Sequence, residues 1–262
     1  MIGTKIIRAA KTRVNDLCVD QYKISEARLC GLAGGRILGA MQTSDDTTNT
    51  SKDGAQRTRG RPRAFDRNAA LSQAMRLFWQ KGYEATSMSD LTEAMGIGSP
   101  SLYAAFGSKE ALYAETLHHY QESFQTLGWA SFCAARTARD AVQAWLMDSA
   151  GFLTGAVLDL PLGCMVTLSA VGSEGHQELG DLARSARAAP FNRLMERLTQ
   201  AVADGEIPAN VDVPALARFV QTVQNGMSIL ARDGVSRAEL ESVAQVAMLG
   251  WDARIGATSN HE

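Results

Sequence analysis

From Ala64 onward, apolar residues recur at three- and four-residue spacing and are interrupted by glycines and short polar side chains. Period-two alternation of β-branched residues is absent. The pattern predicts helix after helix and an all-α fold. A first helix is expected from Asp66 to Lys81, with Asp66 as N-cap, Leu71, Ala74, Met75 and Phe78 on one face and Gly82 as the stop. Ser87 opens a short helix, with Asp90 placed to complete a capping box, Leu91, Ala94 and Met95 on the apolar side and Gly96 at the end. A second short helix is expected with Ser99 as its cap and Pro100 at its first position, carrying Leu102, Tyr103 and Phe106 to a stop at Gly107. Ser108 caps a longer helix with Leu112, Tyr113, Leu117, Tyr120 and Phe124 along one side. Further helices are expected near 139–159, 163–171, 175–204, 213–232 and 237–255, the third kinked or split at Pro190.

The two short helices and the Gly96-Ile97-Gly98 turn between them have helix-turn-helix spacing. The glycines allow a sharp reversal and Ile97 can plug the gap. Phe78 and Trp79 of the preceding helix close a three-helix unit behind them. In such a unit the second short helix points its N-terminal side chains at base edges in the DNA major groove.

The chain ahead of this unit differs. Residues 1–40 show no clean period, and 42–60 are polar and nearly free of large apolar groups, a composition that cannot offset its own ordering entropy. Residues 1–60 are therefore expected to form a disordered extension, with Met41 as an alternative start. Arg57, Arg59, Arg61, Arg63 and Arg67 make a basic run into the first helix, suited to an arm on phosphate or in the minor groove.

Charge sharpens this picture. Residues 1–113 carry 16 Lys+Arg against 11 Asp+Glu, a net of +5, whereas 114–262 carry 10 against 17, a net of −7. A basic front and an acidic back suit a DNA reader joined to a domain with another task. The hydrophobic share of 45% and charged share of 21% are those of an ordinary globular chain. No apolar run reaches the ~20 residues of a membrane helix, and the N-terminus lacks a signal-like apolar core, so a cytoplasmic location is expected. Cys18, Cys30, Cys133 and Cys164 form no C-x-x-C pair, so neither a zinc site nor a structural disulfide is expected. The histidines (His118, His119, His176, His261) sit in no nucleophile or metal motif, and no G-x-S-x-G, G-x-G-x-x-G or P-loop occurs. An enzyme is thereby a remote alternative, with no metal and no cofactor expected.

The order T-S-M-S-D-L, A-M-G-I and S-P-S-L-Y-x-x-F-G-S-K-E-A-L-Y closely resembles the TetR/AcrR transcriptional regulators over about Phe65–Phe124. The resemblance implies a DNA-binding domain at 61–113 and an effector-binding and dimerisation domain at 114–262. It further implies a homodimeric repressor that binds a (pseudo)palindromic double-stranded operator and is released by a small-molecule effector. Position by position, it places Ser99 and Ser101 where the recognition helix meets DNA, Tyr103 and Lys109 on the backbone, and Thr86 and Ser87 at another phosphate; Arg61 and Arg63 belong to the arm. Ala104 and Ala105 stand where many relatives have polar residues, leaving fewer base contacts and more room for thymine methyls.

Within the back half, Tyr120, Phe124, Trp145, Phe152, Met165 and Leu168 are candidate pocket-lining residues, with Met227 beside them. The last two helices are expected to pair with their copies through Phe219, Val220, Val223, Met227, Ile229 and Leu230 and through Val243, Val246, Ala247, Leu249 and Gly250. Pro161-Leu162-Gly163-Cys164-Met165 resembles a subset of these regulators in which such a cysteine senses oxidants or electrophiles, a helix N-terminus favouring thiolate. Thiol sensing through Cys164 is the alternative reading.

Overall fold

The computed structural model describes residues 66–171 and 175–259, apart from the side chains of 125–127 and 257–259. The expected extension over 1–60, with Arg61 and Arg63, lies outside the described residues. Among the described residues the fold is all helix: α1 (Arg67–Lys81), α2 (Met88–Met95), α3 (Ser99–Phe106), α4 (Lys109–Ala134), α5 (Ala138–Leu153), α6 (Met165–Leu168), α7 (Gln177–Ala203), α8 (Val213–Arg232) and α9 (Arg237–Ser259).

Local chemistry accounts for most boundaries. The Asp66 carboxylate accepts from the Asn68 and Ala69 amides at 3.0 Å each, starting α1. Ser87 and Asp90 form the expected reciprocal capping box on α2. Gly96 ends that helix at φ +67°, in the left-handed region that favours glycine. Ser108 caps α4 and Asp212 caps α8, whose bounds coincide with the expected 213–232.

Four expectations are corrected. The N-cap of α3 is Gly98, which has the extended backbone a cap requires, so Ser99 is the first helical residue and its hydroxyl makes no capping bond. The helix expected over 163–171 shrinks to the single turn of α6. Gly163 sits at φ +76°, where a Cβ would come within 2.8 Å of the Ser228 carbonyl and 2.5 Å of Leu168, and Cys164 donates its amide to Ser228 Oγ at 2.8 Å. Pro190 does not split α7, which runs unbroken from Gln177 to Ala203. In the turn before that proline, the buried Gln221 donates its amide to the Arg187 carbonyl at 2.8 Å and supports the helix from α8. Cys133 is disulfide-bonded, and Cys164 is the free cysteine among the described residues.

Two cores result. One joins α1–α4 through Met75, Phe78, Leu91, Leu102, Leu112 and Leu117, and extends into Met165, Val166 and Leu179. The other lies among α4, α5, α7, α8 and α9 around Trp145, Leu146, Leu194, Met227 and Trp251. Arg232, in the last turn of α8, fastens them together. Its guanidinium donates to the Trp79 and Gln80 carbonyls at 2.6 and 3.0 Å, at the C-terminal end of α1 where carbonyls lack helical partners.

Candidate nucleic-acid interface and effector cavity

In α3 the buried and exposed faces separate cleanly. Leu102 and Phe106 are buried, while Ser99, Ser101, Tyr103 and Ala104 face outward, Tyr103 with half its surface exposed. An amphipathic eight-residue helix of this kind is held by its apolar side, worth roughly 1.5–3 kcal/mol per large buried residue, and leaves its polar side for a partner. Ala105 is half-buried against the core and turns away from that face.

Neighbouring candidates divide. Ser87 is exposed, with its oxygen engaged in the capping box. Thr86 is fully buried and donates its hydroxyl to the Gly82 carbonyl at 2.6 Å, so its side chain points inward and is not available to a phosphate. Lys109 lies with Nζ 4.3 Å from the Tyr83 ring centroid, a cation–π contact that holds the ammonium at the start of α4. The Tyr83 hydroxyl donates to Glu110 at 2.9 Å, and burial, reinforced by that carboxylate, pushes its phenol well up.

Arg67 does not extend the basic arm. It makes a two-oxygen contact with Glu115 at 2.7 and 2.8 Å, donates to the Ala105 carbonyl and lies 4.5 Å from the Phe106 ring centroid. It thereby staples α1 to α3 and α4. Lys81 bonds Asp90 at 2.9 Å and, with the Ser87 hydrogen bonds, lowers that carboxyl from 3.8 to about 2. Arg76 faces Asp159 at 3.7 Å. Residues 66–116 carry four basic against six acidic side chains, a net of −2, whereas 52–63 carry five against one. The positive charge of the front half therefore precedes the helix-turn-helix.

Behind this unit is a cavity of about 80 Å³. Tyr120, Phe124, Trp145 and Phe152 line it as expected. Met165 and Leu168 do not: Met165 is buried in the front core and Leu168 packs towards Gly163, because the single turn of α6 presents Val166 and Thr167 to the cavity instead. Met227 is fully buried in the rear core. Trp129 is a missed aromatic wall, stacked on Trp145 at 4.6 Å, and Arg187, Gln224 and Asn225 are missed polar walls. The polar walls lie on α7 and α8, which meet α4 only in three dimensions, whereas Trp129 shares α4 with Tyr120 and Phe124 but falls outside their four-residue spacing.

Cys164 also reaches the cavity, with Sγ 3.2 Å from the Tyr120 hydroxyl, whose own ionisation burial pushes far up. The four-residue α6 behind it carries only a small dipole, so the expected activation at a helix start loses its basis. Of the histidine pair, His118 is exposed and His119 Nε2 lies 3.0 Å from Ser72 Oγ. Among the described residues, no group of three His, Cys, Asp or Glu side chains can hold a metal ion, and no helix is long and apolar enough to cross a membrane.

On the far side, α8 and α9 expose Phe219, Ile229, Leu230, Val243, Val246 and Leu249, while Val220, Met227 and Ala247 turn inward. A three-helix reader, a partly open cavity with aromatic walls and an uncovered apolar helix pair define a one-component helix-turn-helix regulator. Comparison with known proteins carries this further. The bacterial regulatory proteins of the tetR family match residues 70–116. The HTH-type transcriptional repressor ComR of Escherichia coli (strain K12) is 38% identical over 198 residues, covering 75% of this chain and 93% of that protein. BdcR, a second repressor from the same strain, is 50% identical over 64 residues, 24% of this chain and 32% of that one. The structure of a cysteine mutant of the TetR family regulator CifR, complexed with 26-bp double-strand operator DNA, shares 40% identity and a TM-score of 0.69, over 73% of this chain and 100% of that chain. The chain belongs to the TetR family: it is a transcriptional regulator and not an enzyme.

Proposed function

We propose that the protein is a cytoplasmic homodimeric repressor that reads a pseudo-palindromic double-stranded operator through α3 and leaves it when a small molecule fills the rear cavity. Ser99, Ser101 and Tyr103 present the outward face of α3 to the groove, with Ser87 and Lys109 on flanking phosphates and Arg61 and Arg63 in the arm ahead of α1. Residues 61–113 act as the DNA-binding domain and 114–262 as the effector and dimer domain. The carrying observation is the pairing of two unlike exposed faces, polar on α3 and apolar on α8 and α9. The apolar face meets its own copy and sets the two readers about one helical turn apart, ~34 Å on DNA. An effector that favours a different reader spacing lowers DNA affinity by linkage.

Fluorescence anisotropy of the purified protein on DNA from its own upstream region, against scrambled DNA at fixed near-physiological salt, tests the reading. Tight, saturable binding of the first with two chains per site is expected. Equal weak binding of both, persisting in a genome-wide selection of bound fragments, overturns it.

A further inference from the structure

The rear cavity has an asymmetric chemistry. Five aromatic side chains share its walls with small, aliphatic and polar residues, and its one ionic side chain is Arg187, since neither Asp nor Glu lines it. Arg187 is anchored by Nη1 alone, to the Ser169 and Val166 carbonyls at 3.0 and 3.4 Å. Those bonds fix the plane of the guanidinium, while Nη2 and Nε donate to no described residue. Arg187 forms no ion pair with a described carboxylate. On the facing helix, the Thr167 hydroxyl donates to Asn225 Oδ1 at 3.3 Å, which leaves the Asn225 amide nitrogen to donate onward. Arg187 and Asn225 thus both offer donors among the residues that line the cavity, together with five ring side chains.

From this arrangement we infer that the effector is a small aromatic carboxylate, its ring between the Trp129–Trp145 stack and Phe152 and its carboxylate on Arg187. The inference deepens the ligand-released reading and rests on it. A planar guanidinium with two donor positions that no described residue takes matches a carboxylate, while a cation that pairs with no described carboxylate repels an ammonium. The cavity of about 80 Å³ is smaller than a single-ring molecule but partly open to solvent, so such a ligand would fill it and reach out through its mouth.

Three probes of matched shape separate charge from size: phenylacetate, 2-phenylethanol and 2-phenylethylamine, titrated at pH 7 into the full-length protein. Binding is read by the change in tryptophan fluorescence, to which the cavity residues Trp129 and Trp145 contribute, and operator release by anisotropy in the same samples. Phenylacetate is expected to bind at least tenfold more tightly than the amine, with the alcohol between, and to release operator. Arg187→Gln is expected to abolish the preference while leaving alcohol binding within about twofold, and Arg187→Lys to restore part of it. Should the Gln variant fail to fold, the order of the three probes on the unaltered protein still decides. Equal binding, an amine preference, or no binding by any probe to a protein that does bind operator overturns the carboxylate assignment alone. A protein that binds no DNA but keeps the carboxylate preference overturns the repressor reading alone.

Discussion

The outer faces of α3 and of the α8–α9 pair are both exposed, yet they are opposite kinds of surface. The first shows two serines, a tyrosine and an alanine above a fully buried leucine. The second shows Ile229, Val246 and Leu249, each more than half exposed, above Met227 and Ala247. Exposed apolar side chains clustered on one helix pair are what a surface covered in an assembly presents. A small polar surface costs nothing in water and draws its affinity only from directed bonds. Exposure alone therefore says little about function; the chemistry of what is exposed separates a dimer seam from a reading head.

Charging the apolar face breaks the comparison most severely. Val246→Asp with Leu249→Asp is expected to give a folded monomer by light scattering, and to weaken operator binding by on the order of a hundredfold, because two unpaired carboxylates would have to be buried at the seam. Neutralising the arm comes next. Arg61→Ala with Arg63→Ala is expected to flatten the slope of log affinity against log salt by about 1.8, at ~0.9 per lost phosphate contact. An unchanged slope would remove both arginines from the interface. On α3 itself, Tyr103→Phe is expected to cost about 1 kcal/mol of operator binding, near the value of one hydrogen bond, with the circular dichroism spectrum unaltered.

The smallest effect concerns stability. The Asp90 carboxyl is lowered from 3.8 to about 2 by Lys81 and Ser87. A lowered acid stabilises the fold above its unfolded pKa and ceases to do so as pH falls through the folded one. Asp90→Asn should therefore lower the melting temperature at pH 6, and the gap from the unaltered protein should close between about pH 4 and pH 2. A gap that stays constant over that range would show that Lys81 contributes nothing through charge.

Much of the fold can be read along the chain because its determinants are local. Asp66, Ser87, Ser108 and Asp212 each cap the helix that follows within three residues, and the α8 bounds agree to the residue. The aromatic walls Tyr120, Phe124, Trp145 and Phe152 are legible for the same reason, as large residues at helical spacing. What escaped depends on distant partners. The shortening of α6 depends on Ser228, 64 residues beyond Cys164. Arg67 reads as part of a basic run until Glu115, 48 residues on, takes its guanidinium. Thr86 has a local partner in Gly82 but resembles its exposed neighbour Ser87 in the sequence, and only burial tells them apart. The polar end of the cavity belongs to α7 and α8, brought together by the packing around Gln221.

The internal engagement of Arg67, Arg76 and Lys81 bears on how quickly such a protein finds its site. Non-specific adhesion to DNA scales with the phosphates a protein neutralises. With these three cations paired to carboxylates of the same chain, non-specific attraction is left, on the proposed reading, to the basic run ahead of the folded reader. Capture and inspection are then separate tasks of separate segments. On the proposed reading the arm would keep the molecule near the duplex while the reader samples and abandons wrong sites, and dwell time would be governed by the match under α3.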